Sequence, residues 1–261
     1  MSAAAVEVKG LTKTFWDEGR GEVRAVDGID FEVHPGEILG LLGANGAGKT
    51  TTLRVLATIL KPTGGTARLM GHDVLKEPEA VRRSLGFYSA STALYPRLTA
   101  RETLEFFARV NRYPGDAVRQ RVDALIQRFG IAEYQDARVD KLSSGMKQKV
   151  SIARTVAHDP PVLIFDEPSV GLDVINAIEM QKVVRQLGDE GKAILFSTHI
   201  MSEAEKVCDR IAIIHRGMIL AQGTLAELRE STGQHYLEDI FVRYVQGVAD
   251  VEAPEAGRTA P

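Results

Sequence analysis

Short apolar runs alternate with longer amphipathic stretches through the middle of the chain. Ile38-Leu39-Gly40-Leu41-Leu42 is apolar throughout; a glycine-rich stretch follows, and then Thr51-Thr52-Leu53-Arg54-Val55-Leu56, which predicts a helix. Leu85 to Tyr88, Val162 to Phe165, Ala193 to Phe196 and Ile211 to Ile214 are further short apolar runs. A strand that is apolar at every position needs cover on both faces, the condition of a parallel sheet flanked by helices. Residues 6–36 differ. They read as short alternating strands, Ile29 to Val33 among them, closed by the turn His34-Pro35-Gly36.

Residues 99–158 carry almost no strand signal. Thr99-Ala100-Arg101-Glu102 has the spacing of a capping box, in which each side chain satisfies an orphan amide at a helix start. Leu104, Phe107 and Ala108 then fall on one helical face. An all-helical insert of roughly 60 residues is therefore expected to interrupt an α/β core. Thr224-Leu225-Ala226-Glu227 is a second capping box, and Leu237, Ile240, Phe241, Tyr244 and Val245 form one apolar stripe that predicts a helix docked on the body. From residue 246 to the end at 261 the sequence turns to Ala, Pro, Gly and charge, the composition of a disordered tail. No internal repeat is found.

Composition narrows the class. The 261 residues are 44% hydrophobic and 26% charged, globular values, and suffice for one large domain. Lys and Arg number 32 against 35 acids, a net charge of −3, which excludes a whole-chain basic field for gripping nucleic acid. Cys208 is the single cysteine, so no internal disulfide can form and a thiolate metal cage is not expected. No apolar run approaches the ~18 residues of a membrane-spanning helix, and Met1 to Val8 lacks the layout of a signal peptide. The expectation is a soluble chain of a reducing compartment, with any membrane role supplied through a partner. Residues 81–121 are locally basic, with eight Arg against three acids, an excess that a solvated face would also show.

The chemistry concentrates after the first apolar run. Gly43-Ala44-Asn45-Gly46-Ala47-Gly48-Lys49-Thr50 matches G-x-x-x-x-G-K-[ST], between a strand and a helix. Glycines let successive backbone N–H groups approach phosphate oxygens, and the helix N-terminus adds partial positive charge. Lys49 supplies a full charge near the β- and γ-phosphates, Thr51 opens the helix, and the Thr50 hydroxyl is a hard oxygen suited to Mg²⁺. Val162-Leu163-Ile164-Phe165-Asp166-Glu167 is an apolar strand that ends in two acids. That puts Asp166 at the carboxyl edge of the sheet, where open α/β folds bind ligands and where it can hold the Mg²⁺ shell. Glu167 can face the attacking water as general base.

Leu142-Ser143-Ser144-Gly145-Met146-Lys147-Gln148 resembles the L-S-G-G-Q signature of ATP-binding cassette (ABC) ATPases, at the spacing before Asp166 that this family requires. Ser169-Val170-Gly171-Leu172-Asp173 looks like its D-loop, His199 like its switch histidine, and Phe15 like the aromatic that stacks on adenine, although Trp16 next door could stack as well. The resemblance runs from about Val6 to Gln222 and is greatest to ATP-binding subunits of type-2 ABC exporters, on Leu94 to Glu102, Leu142 to Lys149 and Leu237 to Phe241.

The resemblance implies a P-loop NTPase (RecA-like) core with a parallel sheet, an N-terminal antiparallel β subdomain and an all-helical signature subdomain. Residues 1–245 would form a single nucleotide-binding domain, with the helical subdomain at about 91–158, C-terminal helices at about 224–245 and a tail at 246–261. It implies ATP and Mg²⁺ as cofactors, with Thr50 and Asp166 as metal ligands and Glu167 and His199 as catalytic residues. It further implies a second ABC subunit, homo- or heterodimeric, so that Ser143, Ser144, Gly145 and Asp173 of one copy complete the site of the other. A separate integral-membrane permease, with this cytoplasmic chain peripheral on the cytoplasmic face of the cell membrane, and no nucleic acid, complete the picture. The sequence departs from the family at Ala90, which stands where most members carry a glutamine that touches Mg²⁺ and the attacking water. Ser89, Ser91, Thr92 or water would have to substitute. Two other readings stay open. A soluble ABC ATPase working on ribosomes or DNA lacks support from coiled-coil heptads or a basic tract. A non-hydrolysing nucleotide sensor is opposed by Lys49, Asp166, Glu167 and His199 and favoured only by Ala90.

Overall fold

The computed structural model describes residues 3–19, 21–89 and 92–252. The apolar runs become strands of one sheet: β3 (Ile38–Leu42), β6 (Leu85–Ser89), β7 (Val162–Asp166), β8 (Ala193–Thr198) and β9 (Arg210–His215). They lie parallel in the order β9-β3-β8-β7-β6, and β10 (Met218–Gly223) pairs antiparallel outside β9. Every residue of β3, β7 and β8 is buried. Alternate residues serve opposite faces. Leu163 and Phe165 enter a core with Met180, Val184 and Leu187, while Val162 and Ile164 enter another with Leu53, Val55 and Leu56. Fully buried Phe165 and Phe196 each contribute about 2–3 kcal/mol of apolar burial.

The second sheet is antiparallel, in the order β2-β1-β4-β5, with β1 (Val6–Asp17), β2 (Gly21–Val33), β4 (Gly64–Leu69) and β5 (His72–Asp73). The short strands expected over residues 6–36 are in fact two long ones. Register shifts between Val8 and Thr14 bend β1 while keeping it paired, which is why the side-chain alternation breaks in the sequence. The turn at His34-Pro35-Gly36 forms as read, with Glu37 N donating to His34 O at 3.0 Å.

The remaining elements are helical: α1 (Lys49–Leu56), α2 (Pro78–Arg83), α3 (Ala100–Val110), α4 (Val118–Arg128), α5 (Ser144–Thr155), α6 (Val174–Asp189), α7 (Met201–Val207), α8 (Leu225–Thr232) and α9 (Leu237–Glu252). Both capping boxes are present. Thr99 Oγ1 accepts from Glu102 N at 3.1 Å and Glu102 Oε2 from Thr99 N at 2.8 Å; Thr224 and Glu227 do the same at the start of α8. Leu104 and Ala108 are buried, as the helical face predicts, and so are Leu237 and Ile240 of the C-terminal stripe.

One boundary moves. Where a tail is expected from residue 246, α9 continues to Glu252. The helix continues through Gly247 despite its low helix propensity, and Pro254 in the sequence disfavours helical backbone just before it. Residues 253–261 lie outside the described residues, as does Ala90, the position of the expected departure from the family.

Candidate functional site

Gly43 to Gly48 joins β3 to α1, and the loop is packed from two sides. A Cβ at Gly48 would lie 2.4 Å from Ala25 O of β2, and one at Gly43 would lie 2.4 Å from Ile214 O of β9. Gly48 also has φ +109°, which side-chain-bearing residues avoid, and it forms the N-cap of α1 without any side-chain cap. The first amides of α1 are therefore free of side-chain acceptors, which suits an anion. Ala44, Asn45 and Gly46 are exposed at the tip, whereas Ala47 is buried and its carbonyl accepts from Gly217 N at 2.9 Å.

Lys49 is 4% exposed and curls back over the loop. Its Nζ donates to Gly43 O at 2.6 Å and Ala44 O at 3.1 Å, and it pairs with Glu167 Oε1 at 3.1 Å. Thr50 Oγ1 donates to Asp166 Oδ1 at 3.1 Å. Thr51 follows, half-buried, within the first turn of α1. The sheet register sets the rest. Asp166 is opposite Ser89 of β6 and Ser197 of β8, so three polar residues meet at the carboxyl end of these strands. Ser197 Oγ donates to Asp166 Oδ1 at 2.8 Å and accepts from Glu167 N at 3.0 Å. Glu167 has φ +47°, a left-handed conformation rare outside glycine and typical of functional sites where strain is held by neighbours. That backbone turns the carboxylate between Lys49 and His199, whose Nδ1 is 3.3 Å from Glu167 Oε2.

The structure thus brings together Gly43 to Thr50, Asp166, Glu167 and His199. It holds the signature elsewhere. Ser143 is the N-cap of α5, its Oγ accepting from Met146 N at 3.3 Å, and Ser143 and Ser144 are exposed. Asp173 is the N-cap of α6 and accepts from Ile175 N and Asn176 N at 3.0 Å each. These bonds hold its carboxyl below the usual carboxylate range. Asn176 links the two helix starts: its amide donates to Asp173, and a Cβ at Gly145 would lie 3.3 Å from its Oδ1. Among the described residues, no hydrogen bond or ion pair joins Ser143, Ser144, Gly145, Asp173 or Phe15 to the phosphate loop. Phe15 is 38% exposed beside Lys13, whose Nζ is 4.7 Å from the ring centroid, and Trp16 is 80% exposed.

Two residues have no role in the sequence reading, although Gln148 is part of the signature stretch. Ser197 is one; its signal was a polar residue inside an apolar strand. Gln148 is the other. It accepts from Tyr88 Oη at 2.9 Å and donates to Pro168 O at 3.1 Å, tying α5 to β6 and to the residue after Glu167.

Comparison with known proteins identifies the constellation. Residues 26–170 match the ABC transporter family. The chain belongs to that family. This ABC cassette is 40% identical over 229 residues to the ABC transporter ATP-binding protein NatA of Bacillus subtilis (strain 168), covering 87% of this chain and 93% of the relative. It is 40% identical over 233 residues to the daunorubicin/doxorubicin resistance ATP-binding protein DrrA of Streptomyces peucetius, covering 89% and 69%. It is 38% identical to the Nod factor export ATP-binding protein I of Paraburkholderia xenovorans (strain LB400) over 259 residues, covering 99% and 84%. Among solved structures, an ATP-binding subunit of an ABC transporter superposes with a TM-score of 0.83 at 30% identity, covering 92% of this chain and 99% of that one. A dimeric ATP-binding cassette in a post-hydrolysis state, bound to ADP and phosphate, superposes with a TM-score of 0.76 at 26% identity, covering 84% and 98%.

The ABC cassette is accordingly a nucleotide-binding P-loop ATPase. Among its described residues, no helix is long and apolar enough to cross a membrane, and no group of three His, Cys, Asp or Glu could cage a metal.

Proposed function

We propose that this cassette is the ATP-hydrolysing motor subunit of an exporter, closing with a second cassette around two ATP and driving a separate membrane permease. The observation that carries the reading is the convergence of Lys49, Thr50, Asp166, Glu167 and His199 at the carboxyl edge of the sheet. Relatives named for export and drug resistance supply the transport direction.

The roles follow from the geometry. Lys49 exchanges its two carbonyl partners for the β- and γ-phosphates, and the open amides at the start of α1 receive the same oxygens. Thr50 and Asp166 offer hard oxygens 3.1 Å apart, a donor pair that fits Mg²⁺ with phosphate and water completing the shell. The ion would neutralise charge that develops on the phosphates. Ser197 fixes the Asp166 carboxylate and the Glu167 backbone in one stroke. Glu167, released from Lys49, accepts the proton of the attacking water, and His199 orients that carboxylate and reaches the γ-phosphate. Ser143, Ser144, Gly145 and Asp173 make no hydrogen bond to their own phosphate loop among the described residues, which supports their serving the second cassette. Phe15 supports the adenine ring.

A cavity of about 400 Å³ between the sheet edge and α3, lined by Phe87, Tyr95 and Phe107, supports a docking site for a short cytoplasmic helix of the permease. That would hold the cassette at the cytoplasmic face of the cell membrane. The test is affinity purification of the chain from detergent-solubilised native membranes with mass spectrometry of what accompanies it. A stoichiometric multi-spanning membrane protein is expected; ribosomal or chromosomal proteins in its place would overturn the motor reading.

A further inference from the structure

Glu167 is held against two backbone preferences at once. Its φ of +47° is uncommon for a residue with a side chain, and it directly precedes Pro168, whose ring pushes the residue before it towards extended backbone. A conformation of this kind lasts only where its neighbours over-determine it. On the amino side the holder is Ser197, whose O and Oγ both accept from Glu167 N, at 3.2 and 3.0 Å. On the carboxyl side Pro168 has no N–H to offer, and Glu167 O accepts a long bond from Val170 N at 3.3 Å. The side chain that reaches this flank is Gln148 of α5, whose Nε2 donates to Pro168 O at 3.1 Å.

Gln148 is itself fixed by what it bonds to. Its side chain lines two cavities, of about 540 Å³ and about 350 Å³, so packing alone leaves it room to turn. Tyr88 Oη donates to its Oε1 at 2.9 Å. Pro168 O can only accept, so this is the one orientation of the amide that satisfies both neighbours. Tyr88 is 3% exposed and its ring lies 5.9 Å from that of Phe165, which makes it a well-anchored donor. Burial also pushes its phenol above the ordinary tyrosine value, which keeps the proton on the oxygen. Three elements thus meet at one amide: β6 through Tyr88, α5 through Gln148, and the turn after β7 through Pro168.

We infer that Gln148 is a positioning residue for ATP hydrolysis: by holding the Pro168 carbonyl it keeps the strained Glu167 backbone in place and the carboxylate turned towards the attacking water. The inference rests on the proposed role of Glu167 as general base. Without the Gln148 bond, Glu167 is anchored chiefly at its N–H, and the backbone after it is free to relax the strain. The carboxylate then leaves its place between Lys49 and His199. A reacting group displaced by about 1 Å can lose on the order of 100-fold in rate, and proton transfer needs hydrogen-bond reach. The phosphate loop does not share this tether. Lys49 and Thr50 bond to Gly43, Ala44, Glu167 and Asp166, and neither bonds to Gln148 or Pro168 among the described residues. Loss of the tether therefore falls on turnover and spares ATP binding.

The test is phosphate release by the purified full chain as ATP is varied. Gln148→Met keeps the length and bulk of the side chain and removes both bonds. Its kcat should fall by at least about tenfold, with KM for ATP within about twofold of the parent. The same substitution in a Glu167→Gln chain, read by single turnover of radiolabelled ATP, should change the residual rate by less than about twofold, because residues that act as a unit are not additive. Size-exclusion chromatography with ATP should show the trapped dimer of Glu167→Gln unchanged by Gln148→Met, an outcome that a folding defect would not allow. An undiminished kcat in Gln148→Met, a loss that appears in KM instead, an equal loss repeated in the Glu167→Gln chain, or disappearance of the trapped dimer would each overturn the inference. Ordinary turnover by Glu167→Gln alone would overturn the base reading itself, a separate outcome.

Discussion

Lys49 and Glu167 hold each other at 3.1 Å, so the proposed phosphate-binding cation and the proposed general base neutralise one another, and nucleotide binding as proposed has to separate them. The pair is 4% and 22% exposed, which shields it from water and makes its separation a real step.

Replacing the cation tests its half of that step. Lys49→Ala removes charge-assisted bonds to phosphate worth about 2–3 kcal/mol, so ATP affinity should fall on the order of 100-fold. Titration with a fluorescent ATP analogue reads this directly. An unchanged Kd would mean that Lys49 stays on Gly43 and Ala44 when nucleotide binds.

The base is tested by an isosteric change. Glu167→Gln should reduce phosphate release by about 10²–10⁴-fold and leave ATP binding intact, so that size-exclusion chromatography with ATP shows a trapped dimer. Ordinary turnover by this variant would remove Glu167 from the proton-accepting role.

The loop itself is sensitive at Gly48. Gly48→Ala places a Cβ 2.4 Å from a backbone oxygen of β2 at φ +109°. A cost of at least about 2 kcal/mol is expected, a Tm lower by at least about 4 °C for a chain of this size, with weakened nucleotide binding. A melt identical to the parent would show that the loop moves freely away from Ala25.

His158 gives the fold a pH dependence. Its Nε2 bonds Leu85 O at 3.1 Å and its Nδ1 is buried without a partner. Desolvation lowers its pKa from 6.5 to about 4. The unfolded chain therefore takes up the proton first. Its contribution is complete above pH 6.5 and is lost as pH falls from 6.5 towards 4, at up to about 1.4 kcal/mol per unit and up to about 3 kcal/mol in all. Urea midpoints at pH 7.5 and 5 should diverge in the parent chain and diverge less in His158→Gln. An equal divergence would remove His158 as the cause.

Much of this architecture was legible in the sequence because full burial leaves a plain mark. Ile38 to Leu42 and Val162 to Phe165 could only be covered strands, and the Thr99 and Thr224 boxes announced their helices. What escaped was structure without a one-residue signature. The β9–β10 hairpin turns on Arg216 and Gly217, both at positive φ, where Asn-Gly would have been the readable pair, and β10 is half exposed. Strand β4 opens Gly64-Gly65-Thr66 with close backbone approach, and its buried face is only Ala67 and Leu69, too short an alternation to read. At the site, the residue types of the phosphate loop and the acids were readable. The Lys49–Glu167 pair, the Gln148 tether and the double use of Ser197 depend on side-chain directions fixed only by packing.

The phosphate loop is wedged between Ala25 of one sheet and Ile214 and Gly217 of the other, and its own lysine is bonded to its carbonyls. It is a mould cast before its ligand arrives. Nucleotide binding as proposed would therefore freeze little additional backbone, leaving more of the free energy of that encounter for the proposed closure with a second cassette. An insertion at the tip of either wall, near residue 25 or 217, would slacken the mould and weaken closure without altering a single residue that touches phosphate.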